Sequence, residues 1–201
     1  CQEVKSYDEM LEHEQECQFR IVQCIDCFCT EKIVFWKYLD TFKASHPSKN
    51  YVRNGYKQAI PLPFSDLIMY GGGTWTFIIT GKSSTFFNVV WIQNASVRIW
   101  FYIFGSPNET QHFRYELKIK KEPGKDLNFF GKVRSINEDY ATFLESDDTF
   151  EISLGMVKKY RKYMKTVGGV EGDFLDYSFN VRNLKEEAKD EDFESGIDDS
   201  D

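Results

Sequence analysis

Cysteine is absent from most of the chain. All five cysteines among the 201 residues lie before position 30: Cys1, Cys17, Cys24, Cys27 and Cys29. A secreted disulfide scaffold usually distributes its cysteines through the fold, so this clustering argues against one. It favours a reducing compartment, cytoplasmic or nuclear, and a local metal site at the N-terminus.

Long apolar runs and histidines are also scarce. No stretch approaches the roughly eighteen apolar residues of a membrane helix, so no membrane contact is expected. Of the three histidines, His13 and His46 stand near the cysteines, and His112 stands alone on a predicted strand. Little remains for nucleophilic or acid–base catalysis, and we expect no catalytic centre in this chain.

The excess of acidic over basic residues is confined to the C-terminus. The chain carries a net charge of −7, and residues 185–201 contain nine acids and two lysines, so the rest of the chain is neutral. A neutral body argues against a zinc protein that binds nucleic acid. The segment 184–201 has too few apolar residues to offset the entropy of ordering, and we predict that it is disordered.

Short strand patterns repeat between residues 51 and 183. The clearest is 112–120, where Phe113, Tyr115, Leu117 and Ile119 alternate with polar residues. Further strands are predicted at 75–80, 86–92, 97–104, 149–153 and 174–181. The pattern predicts a mainly β, antiparallel sandwich. Segment 156–165 differs, because its apolar residues recur at helical spacing opposite a basic face, and we predict an amphipathic helix there.

The cysteines and histidines at the N-terminus form two groups of candidate metal ligands. The first group comprises Cys1, His13 and Cys17, and the second comprises Cys24, Cys27, Cys29 and His46. His13 and Cys17 are four residues apart and would share one face of a helix. A structural zinc site takes four ligands, so we expect a further cysteine upstream of Cys1. Zinc at these sites would contribute folding free energy rather than chemistry.

The order of these motifs resembles the seven-in-absentia (SINA/SIAH) family of ubiquitin ligases. The run from Cys1 through His13-Glu-Gln-Glu-Cys17 to Cys24 looks like the first zinc finger of that family, and the resemblance continues through Trp36 and Leu39-Asp40 to His46. Similar sandwich motifs are Phe113-x-Tyr115-x-Leu117, Val133-Arg134-Ser135-Ile136-x-Glu138, Ser146-Asp147-Asp148-x-Phe150 and Phe179-Asn180-Val181.

The resemblance implies a zinc-finger module over 1–50, a TRAF-like sandwich over 51–183 and the acidic tail over 184–201. In that family a RING outside this chain recruits a ubiquitin-conjugating enzyme, while the fingers and sandwich dimerise and bind protein substrates or adaptor peptides. Extended peptides bind beside a sheet edge. The corresponding groove here would lie along Ile60, Leu62, Leu67 and Met69, for which ordinary core packing is the alternative role.

Two departures from the family pattern leave a second interpretation open. No second histidine follows His46 near residues 50–51, and segment 59–70 lacks the tryptophan expected in the peptide groove. The alternative is a protein-interaction adaptor with a SINA-like fold and no ligase activity. A series of RING-type ligands upstream of this chain would distinguish the two.

Overall fold

Strands account for about half of the backbone that the structure describes. The computed structural model describes residues 1–26, 28–47, 50–63, 73–81, 83–121, 125–138, 146–166, 169 and 171–185, with the backbone alone described for 50–54. The predicted site residues Cys27, Leu67 and Met69 and the tail beyond position 185 lie outside these ranges. Within the described ranges no helix is long and apolar enough to cross a membrane.

Helices are few and short within the described residues. They are α1 (Tyr7–Glu16), α2 (Tyr38–Ser45), α3 (Pro107–Thr110) and α4 (Leu154–Tyr160), with a 3₁₀ turn at Phe35–Lys37. The strands, in chain order, are β1 (Ile21–Gln23), β2 (Lys32–Val34), β3 (Asn50–Asn54), β4 (Lys57–Pro63), β5 (Gly73–Thr80), β6 (Thr85–Gln93), β7 (Ser96–Ile103), β8 (Phe113–Ile119), β9 (Leu127–Lys132), β10 (Arg134–Ser135), β11 (Phe150–Ser153), β12 (Arg161–Lys165) and β13 (Glu171–Asn183).

Two sheets pack face to face. One has the order β10-β7-β6-β5-β3, with β11 also paired to β7, and the other has the order β12-β13-β8-β9, with β4 on the opposite side of β13. All pairs are antiparallel except β3–β5 and β10–β7. Phe101 of the first sheet contacts Tyr115 and Phe179 of the second, with ring centroids 4.5 and 4.9 Å apart. The predicted mainly β, antiparallel architecture is therefore confirmed.

The alternation of apolar and polar residues along β8 gives the strand one buried and one partly exposed face. Phe113, Tyr115, Leu117 and Ile119 are buried, and the residues between them are partly exposed. The core between the sheets also contains Asn88, whose amide donates to the Trp100 carbonyl at 3.2 Å while its oxygen accepts from Tyr177 at 2.5 Å. A buried amide satisfied from both sheets favours one alignment of the sandwich over its alternatives.

Segment 156–165 differs from the predicted single helix. Helix α4 ends at Tyr160, and Arg161–Lys165 forms strand β12 against β13. Arg161 pairs with Asp173 at 3.2 Å and Lys165 with Glu171 at 2.8 Å, so part of the basic face meets acids across the strand pair. Pairing with an available strand overrides the helical period, which is a weak preference over so short a segment.

The N-terminal module packs on the outer face of the first sheet. Tyr38 and Phe42 of α2 are fully buried, and each ring meets Phe87 edge-on, at 5.9 and 5.6 Å. The Arg20 guanidinium lies 3.4 Å from the centre of the Phe35 ring. The residues buried in this second core are Val22, Cys24, Ile25, Ile33, Tyr38, Phe42, Ile78, Phe87, Val89, Trp91, Trp100, Tyr102 and Ile136. The module and the sandwich therefore share apolar packing.

Candidate metal centres

The first centre is built around α1. A capping box between Ser6 and Glu9 begins the helix, and the helix carries His13 to within reach of Cys1 and Cys17. The Cys1 sulfur lies 3.1 Å from His13 Nε2, and the three ligand atoms lie within 4.8 Å of one another. The helix and the segment before it therefore bring together the three residues that the sequence predicted as ligands.

The second centre lies where the β1–β2 hairpin meets the end of α2. The Cys24 sulfur lies 3.3 Å from His46 Nε2, and the ligand atoms of Cys24, Cys29 and His46 lie within 4.8 Å of one another. Cys24 is buried, and burial raises the pKa of its thiol to about 12. A metal ion that binds here must therefore displace the proton of a neutral thiol.

Backbone hydrogen bonds hold the loop of the second centre. Asp26 accepts from the Cys29 amide at 2.8 Å, which turns the chain so that Cys29 returns toward Cys24. The Ile25 amide donates to the Tyr38 hydroxyl at 2.8 Å, so α2 holds the loop from the core side. The same helix carries His46 at its C-terminal end. One helix therefore fixes both the loop and one ligand.

Each histidine meets a carboxylate on its other nitrogen. His13 Nδ1 lies 3.5 Å from Glu3, and His46 Nδ1 lies 3.5 Å from Asp26. Glu3 also pairs with Lys5 at 2.9 Å, and this hydrogen bond is the main cause of the lowered pKa of Glu3. The geometry leaves both Nε2 atoms directed at cysteine sulfur.

The two groups could hold metal ions. Thiolate and imidazole are the ligands of structural zinc, with bonds of about 2.3 Å to sulfur and about 2.0 Å to nitrogen. In a tetrahedral site these lengths place neighbouring nitrogen and sulfur atoms about 3.5 Å apart and two neighbouring sulfur atoms about 3.8 Å apart. Nitrogen–sulfur distances of 3.1 and 3.3 Å therefore need only small adjustments. Each described group supplies three of the four ligands of such a site.

The predicted peptide groove falls on β4 and beyond it. The side chains of Ile60 and Leu62 are buried between the sheets, with 1% and 2% of their surface exposed. Both side chains therefore face the core. The residues that alternate with them lie on the outer face of β4. Leu67 and Met69 lie outside the described residues.

A surface cleft of about 390 Å³ lies on the outer face of the second sheet. Its lining residues are Arg114, Tyr115, Glu116, Phe130, Gly131, Lys132, Asp148, Arg182 and Leu184. Three cations stand directly opposite one another across three strands, Arg182 beside Arg114 and Arg114 beside Lys132. Phe130 projects beside them with 67% of its surface exposed. The sequence did not point to this cleft, because the row depends on strand register.

No protein-family model matches the chain, and no curated protein sequence matches it.

Proposed function

We propose that this chain is a zinc-stabilised protein-interaction module, the substrate-recognition region of a RING-type ubiquitin ligase of the seven-in-absentia kind. Zinc would occupy both Cys/His groups as a structural ion. The principal support is that two groups of zinc-type ligands lie beside a β-sandwich, the arrangement that the order of the sequence motifs implied. Ubiquitin transfer in the parent protein would then depend on proximity, because the module holds a target lysine near a thioester carried by another protein.

Sheet edges are the candidate sites for an extended partner peptide. Strand addition needs free backbone N–H and C=O groups along an edge. Strand β4 pairs with β13 on one side, and it contains Pro61 and Pro63, which have no N–H to donate. Prolines within sheets occupy edge strands, with the missing donor on the solvent side. Among the described strands only β13 pairs with β4, and the edge of β4 that faces away from β13 is therefore poor in donors.

Strand β9 offers a better edge. Among the described strands it pairs with β8 alone, and Leu127–Lys132 contains no proline. At its C-terminal end the Lys132 amide donates to the Asp148 carboxylate at 3.3 Å, so a peptide would pair with the part of β9 that precedes Lys132. Its side chains Phe130 and Lys132 border the cleft with the cationic row. An extended peptide added to β9 would place an apolar side chain on Phe130 and an acidic one near Arg114 or Lys132. This favours acidic substrate segments.

Peptide selection tests the binding part of the proposal. A displayed library of random peptides, screened on the zinc-loaded protein, should yield acidic sequences with one apolar anchor. Phe130→Ser should abolish their binding. Tyr163→Ser is the matched control, because Tyr163 is also an exposed aromatic residue on an edge strand, with 73% of its surface accessible. Equal loss of binding in both variants, or in neither, would contradict docking at β9.

Auto-ubiquitination of the full-length parent protein tests the ligase part. The assay needs a panel of conjugating enzymes and a zinc-loaded preparation. Ubiquitin chains on the parent would support the proposal, and a RING-type ligand series upstream would provide the recruiting domain. Peptide binding without ubiquitin transfer by any conjugating enzyme would instead favour the adaptor.

The family resemblance further leads us to propose that the parent dimerises. Sedimentation of the zinc-loaded protein over a range of concentrations would measure this directly.

A further inference from the structure

The two metal centres share an arrangement that extends beyond their ligands. In each, a histidine presents Nε2 to a cysteine sulfur and Nδ1 to a carboxylate 3.5 Å away. In each, that carboxylate lies two residues after the first cysteine, as Cys1-x-Glu3 and Cys24-x-Asp26. The same relation has arisen around two histidines that stand in different structural settings, one within α1 and one at the end of α2.

Asp26 is the better-enclosed of the two carboxylates. It has 1% of its surface exposed. One carboxylate oxygen accepts from the Phe28 amide at 3.1 Å, and the other lies beside His46. Isolated buried carboxylates are strongly unfavourable, so such a group needs partners of this kind. The contacts fix the carboxylate relative to the loop that also supplies Cys24 and Cys29.

The chemistry of imidazole gives this contact a consequence. A neutral imidazole has one N–H donor and one nitrogen with a lone pair. The 3.5 Å separations are longer than a hydrogen bond and would have to close by about 0.5 Å to become one. A carboxylate that then accepts from Nδ1–H keeps the proton there and leaves the lone pair on Nε2, which is the form that a metal binds. It also fixes the plane of the ring, since rotation would break the contact.

We propose that Asp26 and Glu3 are the positioning residues of the two centres, each holding one histidine with Nε2 directed at the metal. This inference rests on the metal binding proposed above. The two carboxylates differ in how firmly they hold their histidine. The Glu3 side chain is 51% exposed and shares its oxygen with Lys5, whereas Asp26 is enclosed and fixed by the Phe28 amide. Loss of Asp26 should therefore cost more metal affinity than loss of Glu3.

Cobalt titration tests the proposal on the reduced protein. Co²⁺ bound by cysteine and histidine has visible absorption bands, and competition with a chelator gives an affinity for each of two equivalents. Asp26→Asn keeps the acceptor for Phe28 but presents an NH₂ group to His46, which favours the proton on Nε2. We expect about 10- to 100-fold weaker binding of one equivalent, with the other unchanged. Glu3→Gln, the matched variant, should weaken the opposite equivalent by less.

The outcomes separate this inference from the function it rests on. If the wild-type protein binds no Co²⁺, the proposed metal binding fails. If the wild type binds two equivalents and Asp26→Asn binds them as tightly, the positioning role is refuted while metal binding stands.

A second measurement needs no variant and so does not depend on how Asp26→Asn folds. Long-range ¹H–¹⁵N spectra of the wild type loaded with zinc report which nitrogen of each histidine is protonated. We expect Nδ1–H and metal-bound Nε2 for His13 and His46, with His112 as the reference for a ring outside the centres. Metal-bound Nδ1 in either ring would overturn the assignment for that centre.

Discussion

Replacement of Tyr38 by phenylalanine tests whether the second metal centre and the sandwich are one structural unit. The Tyr38 ring is fully buried, stacked on Phe42 at 5.9 Å and edge-on to Phe87. Its hydroxyl accepts from the Ile25 amide at 2.8 Å, and burial raises the pKa of that hydroxyl far above its ordinary value. Phenylalanine keeps the ring and removes the hydroxyl, and with it the acceptor for Ile25 and the hydrogen bond to Cys24.

The expected loss in the free energy of unfolding comes from the Ile25 amide that the hydroxyl no longer satisfies. Ile25 is buried, so without the hydroxyl its amide loses the partner that the structure gives it. A buried donor without a partner costs about 1 to 3 kcal/mol. With a urea slope of about 2 kcal/mol/M, the midpoint of unfolding should fall by about 0.5 to 1.5 M while the slope stays unchanged. The loop between Cys24 and Asp26 also loses its tie to α2, so the second equivalent of metal should bind more weakly.

Urea titration of the reduced protein, with chelator and with excess zinc, measures both effects. Tyr7→Phe is the matched control, because Tyr7 is 79% exposed at the start of α1 and should tolerate the same change without loss. An unchanged midpoint for Tyr38→Phe in both conditions would show that the loop is not held from the core side, and the reasoning about a shared unit would fail.

Three further predictions concern packing and charge. Gly131→Ala should lower stability by about 1 to 3 kcal/mol in a urea titration, because its methyl group would lie 2.6 Å from the Tyr115 ring, whereas Gly155→Ala in helix α4 meets nothing closer than 3.8 Å and should be neutral or stabilising. Asn137→Ala removes two hydrogen bonds to the N-terminal module, at 2.9 and 3.0 Å. A limiting amount of trypsin should therefore cleave that module faster than in the wild type. An unchanged cleavage rate would show that Asn137 does not hold the module on the sandwich. A hydrogen bond from Ser96, and after it one from Arg98, lowers the pKa of Glu151. The stabilisation by Glu151 is therefore fully present above the ordinary pKa of 4.5 and is lost as pH falls through the lowered value. The stability difference between wild type and Glu151→Gln should disappear in acid, and a difference that grows in acid would contradict the prediction.

Local patterns predicted local structure well in this chain. The strict alternation at Phe113–Ile119 identifies a strand with one buried face because a period of two has no other common origin. The four-residue spacing of His13 and Cys17 likewise places both on one side of a helix. In both cases neighbours in sequence carry the information, so distant contacts are not needed.

Features that depend on pairing were beyond the reach of sequence patterns. The direction in which Ile60 and Leu62 point follows from the register of β4 on β13, and the same residues would suit either a groove or a core. The cationic row of the cleft needs the alignment of three strands that are far apart in the chain. Segment 156–165 supports both a helical and an extended reading, and β13 decides between them.

The sequence contained one signal for the N-terminal module that covers the outer face of the first sheet. A strand with one wet face alternates, whereas 86–92 is buried along nearly its full length, with Phe87, Val89 and Trp91 on the side away from the other sheet. A sandwich alone buries one face of each sheet. Apolar residues on both faces therefore require a further layer, and here α2 and the hairpin that carries Cys24 provide it.

This layering determines what loss of metal should do. Helix α2 buries Tyr38 and Phe42 against the sheet and bears His46 at its end. A finger joined by a flexible linker could unfold and leave the sandwich intact. Here the residues beside the second candidate centre also cover Phe87 and Trp100. If zinc binds there as proposed, its removal would loosen these residues and expose the outer face of the sheet to water. The metal centres are thus expected to stabilise the surface on which the sandwich depends, and chelation should lower the cooperative unfolding transition of the whole described unit rather than produce a separate early one.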